Sequence, residues 1–175
     1  SIVPKDPTDA FNVDVRKYYN NLMRIEKKYE EGSDEFKAAL KEKGITYPLF
    51  VCEKDGQKFY ITYFSGKGLW DDIWGYVGLK SDLSTINGTV FDHKQETAGL
   101  GSKINEAWFE DQFIGKTITE NGTFVSIDVK KPGNDLNNHQ VDGISGATFT
   151  GVGVDEMLTR NLNVYYSFFK NNPTL

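Results

Sequence analysis

Leu49-Phe-Val-Cys-Glu53, Lys54-Asp-Gly-Gln57 and Lys58-Phe-Tyr-Ile-Thr-Tyr-Phe64 follow one another in this chain of 175 residues. The outer two runs are rich in aromatic and β-branched residues, which suit a pleated, half-buried surface. The middle run carries Asp-Gly, which accepts the left-handed backbone of a tight turn. Together they predict a β-hairpin, and the pattern recurs downstream. Tyr76–Leu83 and Thr89–Asp92 flank Asn87-Gly88, and Ile118 and Phe124–Val129 flank Asn121-Gly122. Within Phe124–Val129, Phe124, Ser126 and Asp128 alternate with Val125, Ile127 and Val129, the period of a strand with one buried face. Asn87-Gly-Thr89 and Asn121-Gly-Thr123 also match the glycosylation sequon, but a hairpin turn accounts for both.

Helical patterns lie on either side. Phe11, Val15, Tyr18, Leu22, Ile25 and Tyr29 recur at steps of three and four, predicting an amphipathic helix of about five turns that Gly32 closes. Ser33 reads as the N-cap of a second helix, with Asp34 and Glu35 in its first turn, Phe36 and Leu40 on its buried side and Gly44 at its end. A short helix is expected over Asn105–Ile114, capped by Asn105 and stopped by Gly115. A final helix is expected over Val152–Lys170, carrying Val154, Leu158, Leu162, Tyr165 and Phe169 at helical spacing. The fold class expected is α+β: N-terminal helices followed by an antiparallel, hairpin-rich sheet with packed helices. The organisation expected is a helical segment over 1–44 and a main domain over 45–175, without repeats or a low-complexity linker.

The composition bounds what such a domain can do. The net charge is −5, and no cluster of Lys and Arg offers phosphate contacts, which argues against nucleic acid as a partner. Lys27-Lys28 and Lys41 to Lys43 are interleaved with Glu, as solvated helix faces are. Cys52 is the single cysteine, so no disulfide forms within the chain, and its apolar neighbours suggest a buried thiol. His93 and His139 are too few and too scattered for a zinc site. No run of about 18 apolar residues spans a bilayer, and no signal peptide stands at the start. The chain opens on Ser1-Ile-Val-Pro4 without Met, which reads as a processed or truncated start.

Aromatic residues make up 14% of the chain, enough for a thick aromatic core or a site for a planar ligand. Core packing is the expectation for at least one or two of Trp70, Trp74 and Trp108. Asp71-Asp72 reads as solvated surface, because adjacent side chains point different ways. Two Gly-rich segments fit neither strand nor helix, Ser65-Gly-Lys67-Gly68-Leu69-Trp70 and Lys94-Gln-Glu96-Thr97-Ala-Gly99-Leu100-Gly101, and a third, Asp142-Gly-Ile-Ser145-Gly146-Ala147-Thr148, stands just ahead of the last helix. In the third, small residues allow backbone to approach a phosphate, and a helix start would offer free N–H groups and a positive dipole end. Thr148 then supplies either an ester oxygen for a phosphate or, more simply, a helix cap, a role Thr150 could also fill. Ser145 lacks the Gly-x-Ser-x-Gly spacing of a hydrolase nucleophile. Gly151-Val-Gly153 does not complete a dinucleotide fingerprint. No catalytic residue and no metal ligand is assigned.

Taken in order, the three segments resemble a known family. Asp142-Gly-Ile-Ser145-Gly146-Ala147-Thr148 is similar to the covalent flavinylation motif of FMN-binding domains, whose last residue accepts the cofactor. Glu96-Thr97-Ala-Gly99-Leu100-Gly101 is similar to the family's Glu-Thr-x-Gly-Leu-Gly loop, and Gly66-Lys67-Gly68-Leu69-Trp70 to its Gly-x-Gly-Leu-Trp segment. The resemblance covers about Tyr47 to the C-terminus. It is strongest to the flavin subunits of sodium-translocating NADH:quinone reductases, with those of Rnf complexes next.

The resemblance implies a fold of the FMN-binding domain type and FMN joined through its phosphate to Thr148. Asp142, Ser145, Gly146 and Ala147 would form the segment read by a Mg-dependent FAD:protein FMN transferase. Glu96, Thr97, Gly99, Leu100 and Gly101 would wall the isoalloxazine with Lys67, Leu69 and Trp70. It further implies an electron-transfer subunit of a membrane respiratory, ion-pumping complex, partnered by the other membrane subunits. A single N-terminal anchor in the bacterial inner membrane, lacking here, would hold the domain on the periplasmic face. The isolated domain is not expected to oxidise NADH. The alternatives are the flavin subunit of an Rnf-type electron-transport complex and a flavin-free extracytoplasmic ligand-binding or regulatory module of the same fold.

Overall fold

The computed structural model describes residues 9–30, 33–44 and 46–172. The chain separates into two compact units, Ser1–Leu49 and Phe50–Leu175.

In the first unit a 3₁₀ turn, Asp9–Asn12, precedes helix α1, Val15–Glu26. The helix is shorter than the periodicity predicted. Asp14 caps it by accepting the Lys17 N–H at 2.9 Å, which stops the pattern from extending back to Phe11, and Phe11 is exposed. The buried stripe is Tyr19, Leu22 and Ile25. Gly32 lies outside the described residues. Helix α2, Asp34–Lys43, forms as its ends dictate: Ser33 Oγ accepts the Phe36 N–H at 3.1 Å, and Gly44 closes the helix in the left-handed region. Phe36 is buried, and α1 and α2 pack together.

The second unit is built on a four-stranded sheet in the order β1-β2-β3-β4: β1 Leu49–Lys54, β2 Gln57–Lys67, β3 Asp72–Leu79 and β4 Ile86–His93. The β1–β2 turn is Asp55-Gly56, both left-handed, as predicted. β2 runs on through Ser65, Gly66 and Lys67, which pair with Trp74, Ile73 and Asp72, so half of that Gly-rich segment is strand. Asn87-Gly88 is not a turn. It lies inside β4, with Gly88 opposite Gly78 and a register irregularity at Gly78/Leu79. The chain reverses instead between Lys80 and Thr85, where Asp82 accepts the N–H groups of Ser84 and Thr85 at 3.0 and 2.8 Å. A side-chain acceptor made that turn, which a search for Asn-Gly misses.

Past β4 the expected Asn105–Ile114 helix is broken into a 3₁₀ turn Gly101–Asn105, helix α3 Ala107–Glu110 and a 3₁₀ turn Asp111–Phe113. Glu106, not Asn105, stands at the α3 N-cap. β5, Thr119–Glu120, and β6, Thr123–Phe124, form the predicted Asn121-Gly122 hairpin. The run to Val129 does not continue as one strand. Ser126 adopts a φ of 62°, and Ser126 and Ile127 are both buried. Beyond that bend β7, Asp128–Lys130, pairs in parallel with β8, Gln140–Asp142.

Helix α4, Thr148–Asn171, lies across β2. It starts a turn earlier than Val152, because the Ser145-Gly146 turn already delivers the chain into helical geometry. Two polar anchors fasten it. Tyr165 Oη accepts the buried Tyr63 N–H at 3.1 Å, and Asn161 Nδ2 donates to the Ser65 carbonyl at 3.0 Å. Between sheet and helices sits an aromatic cluster: Phe91 lies 5.4, 5.6 and 5.1 Å from Phe64, Phe109 and Phe113. Tilted ring pairs of this kind add about 0.5–1.5 kcal/mol each beyond area burial. At its rim Trp108 meets Phe109 edge to face, with ring centroids 5.9 Å apart. Trp74 is half-buried and Trp70 and Trp108 are exposed, so none of the three is fully buried, where at least one or two were expected in the core, and Phe and Tyr fill it instead. Cys52 is also exposed, not buried, on the alternate face of its strand. It lines a groove of about 730 Å³ with Phe59, Ile61, Tyr76 and Val90, and this groove contains none of the motif residues.

Candidate functional site

The three Gly-rich segments converge at the N-terminal end of α4. The first forms the tight β2–β3 turn, in which the Gly68 N–H donates to the Asp71 carbonyl at 2.9 Å. Leu69 and Trp70 ride its tip, 45% and 68% exposed. The second follows β4 as a coil. Leu100 N–H and Ser102 N–H both donate to the Thr97 carbonyl, and Ser102 Oγ accepts the Gly99 N–H at 3.0 Å. The Trp70 indole N–H donates to Thr97 Oγ1 at 3.1 Å, tying the two tips together. The third leaves β8 and turns at Ile144–Ala147, where Ala147 N–H donates to the Ile144 carbonyl at 3.0 Å. Gly146 holds that turn at a φ of 78°, and a Cβ there would sit 3.1 Å from Leu100 Cδ2.

Glu96 is the junction, and only 9% of it is exposed. Its Oε1 accepts the Trp70 backbone N–H at 3.0 Å and its Oε2 accepts the Thr150 hydroxyl at 2.6 Å. The surrounding glycines serve this packing. A Cβ on Gly101 would lie 2.6 Å from Glu96 Oε2 and 2.5 Å from Thr150 Oγ1. One on Gly68 would collide with Glu96 Oε1, and one on Gly153 with the Lys67 carbonyl. These glycines let protein approach protein.

Around the junction the surface is open and apolar. Thr148 and Ser145 are exposed while Ala147 is buried. The α4 N-cap is Ala147, and no side chain caps the helix, so neither Thr148 nor Thr150 plays the capping role. The first-turn N–H groups and the positive dipole end are therefore left without a side-chain cap where Thr148 begins the helix. Phe149 and Val152 are 71% and 49% exposed beside it, and Leu100 is exposed across from it.

Two predicted residues have other partners. Lys67 Nζ lies 2.5 Å from Asp72 Oδ1 and 3.6 Å from Asp71 Oδ1, and Lys94 Nζ lies 2.6 Å from Asp71 Oδ2. Asp71-Asp72 is thus a bridge between two lysines and not a solvated pair. Lys94 and the Asp72 N–H hold the Asp71 carboxyl down to about 2. Asp142 Oδ1 accepts the Gly133 N–H at 3.2 Å. Its backbone is clamped by Gln112, which accepts the Asp142 N–H at 2.9 Å and donates to the Asp142 carbonyl at 3.1 Å. Gln112, Thr150 and Phe149 were missed from sequence. Thr150 carried a signal, a hydroxyl on the opposite face of the helix from Thr148. Gln112 carried none.

A helix start that no side chain caps, between two loops tipped with leucine and tryptophan, offers N–H donors to an anion and apolar faces to a planar group. Residues 68–163 match the family model of the FMN-binding domain, and the chain belongs to that family, with FMN as its cofactor. Among solved structures, the C subunit of the Na(+)-translocating NADH-quinone reductase from Parabacteroides distasonis is 42% identical. It superposes with a TM-score of 0.69, covering 80% of this chain and 72% of that one. NqrC of Shewanella oneidensis is 30% identical with a TM-score of 0.61, covering 71% and 61%. Among curated relatives, the C subunit of the Na(+)-translocating NADH-quinone reductase of Pseudomonas aeruginosa is 32% identical over 126 residues, 69% of this chain. The chain spans about half the length of the curated relatives it matches, 48% for that protein and 43% for its Haemophilus ducreyi counterpart.

Proposed function

We propose that this chain is the flavin-bearing domain of an electron-transfer subunit of a membrane respiratory complex of the Na+-translocating NADH:quinone reductase kind, and that it carries FMN covalently on Thr148. One observation carries the reading: an exposed Thr148 hydroxyl opens a long helix that no side chain caps, between the Trp70 and Leu100 loops. The donor set fits the cofactor. N–H groups at the helix start suit a phosphodiester, which keeps one negative charge. The exposed faces of Trp70, Leu69, Leu100 and Phe149 suit an isoalloxazine. When bound, FMN supplies one- and two-electron redox chemistry, and the protein sets its orientation and solvent access.

Attachment forms one bond and breaks one. The Thr148 hydroxyl attacks the FMN phosphorus of FAD, AMP leaves, and the hydroxyl proton passes to a base of a Mg-dependent FAD:protein FMN transferase. Ser145, Gly146 and Ala147, a turn just ahead of the acceptor, present the segment that the transferase reads. A covalent tether lets the ring stay open to redox partners without loss of the cofactor, which suits a relay. Sodium coupling, the other membrane subunits and a periplasmic setting belong to the same proposal. Among the described residues no helix is long and apolar enough to cross a membrane.

Intact mass tests the acceptor. Protein made with the transferase gains one FMN less one water and gives a fluorescent band on a denaturing gel. Thr148→Ala loses both signals. Covalent flavin retained on Thr148→Ala would overturn the assignment.

A further inference from the structure

We infer that Glu96 and Thr150 form a latch that aims the Thr148 hydroxyl and holds Trp70 beside it, so that Glu96 acts on the protein rather than on the flavin. The inference rests on Thr148 as the acceptor, and it comes from three observations. First, both carboxylate oxygens of Glu96 are engaged inward, one on the Trp70 backbone N–H at 3.0 Å and the other on the Thr150 hydroxyl at 2.6 Å. Second, the carboxylate fills the space between the Gly68 and Gly101 backbones, where even one added carbon collides with it. No ligand atom fits there. A buried carboxylate needs such partners, and an O–H donor to it makes one of the stronger hydrogen bonds.

Third, the helix geometry converts the latch into aim. Thr148 and Thr150 are two residues apart, about 200° around an α-helix. Thr150 is 1% exposed and faces inward, while Thr148 is exposed and faces out. Fixing Thr150 against Glu96 fixes the rotation of the first turn, and with it the direction of Thr148 Oγ1. The same carboxylate holds the Trp70 backbone, while Thr97 holds its indole at 3.1 Å. One residue therefore sets the acceptor hydroxyl and one wall of the ring site together. Glu96 and Thr150 are positioning residues.

The test is transfer of FMN from FAD to the full chain by the purified transferase, followed by intact mass, with Thr150→Val, Thr150→Ser, Glu96→Ala and Glu96→Gln. Misaiming a reacting oxygen slows the chemical step, so Thr150→Val and Glu96→Ala are expected to lower kcat for transfer about tenfold or more. The segment the transferase reads is intact, so KM for the chain should stay within about twofold. Thr150→Ser keeps the donor and restores the rate. Gln can still accept from Trp70 N–H and donate to Thr150 Oγ1, and it restores most of it. A second readout needs no flavin: in the unloaded chain the Trp70 amide proton should exchange about tenfold faster in Glu96→Ala than in wild type or Glu96→Gln, because a local hydrogen bond is lost. Wild-type transfer by Thr150→Val, or a Trp70 amide equally protected in Glu96→Ala, overturns the latch. So does Glu96→Gln, folded by circular dichroism, transferring as slowly as Glu96→Ala. Failure of Thr148 as acceptor would show as transfer to Thr148→Ala, and the exchange experiment judges the latch separately.

Discussion

Asp71 lies 2.6 Å from Lys94 Nζ and accepts the Asp72 N–H at 2.8 Å, and these contacts hold its carboxyl at about 2. A carboxyl lowered by folding contributes stability above its ordinary value near 4, and that contribution disappears as pH falls toward about 2. Wild type should therefore lose its advantage over Asp71→Asn between about pH 4 and pH 2 in urea-melting midpoints, and a difference that stays constant across that window would refute the coupling. Gly101→Ala places a methyl 2.6 Å from Glu96 Oε2 and 2.5 Å from Thr150 Oγ1. Overpacking of this kind costs about 1–3 kcal/mol, measurable by urea denaturation, and an unchanged midpoint would mean that the junction yields. Sequence named Glu96 and Gly101 but not the Thr150 that both pack against. Gly and Glu in a loop look the same whether they meet a ligand or a distant helix, and Thr150 is 54 residues from Glu96.

Among elements, the local signals that held were those with a complete local mechanism. Ser33 and Gly44 close α2 with their own hydrogen bonds and φ, and Asp55-Gly56 and Asn121-Gly122 turn their hairpins. Those that failed depended on pairing across the sheet. Asn87-Gly88 can form a turn, but within β4 Gly88 pairs with Gly78, and the reversal moved to Asp82. The start of α4 was hidden because Gly151 and Gly153 depress helix propensity, while tight packing of Gly153 on the Lys67 carbonyl favours the helix there. The attachment of α4 to β2 is testable. Tyr165→Phe removes the hydroxyl that accepts the buried Tyr63 N–H, and the loss of one such hydrogen bond costs about 0.5–1.5 kcal/mol. Chemical denaturation should show that loss with an unchanged m-value.

For the molecule as a whole, the relay proposal makes a kinetic prediction. The FMN-loaded chain, mixed anaerobically with NADH, should keep its visible flavin band, and dithionite should bleach it. Bleaching by NADH at a catalytic rate would favour a free-standing reductase. The sequence by itself determined the α+β class, the caps and turns closed by adjacent residues, and the three motifs whose order resembles the FMN-binding domain family. Each of these is a short-range property, written in neighbouring side chains. Only the tertiary structure decided that Trp70 and Trp108 stay at the surface, that Asp71 and Asp72 bridge Lys67 and Lys94, and that the glycines of the motifs make room for Glu96. Those outcomes depend on which segments meet in space, and a buried carboxylate finds its partners across the fold rather than along the chain.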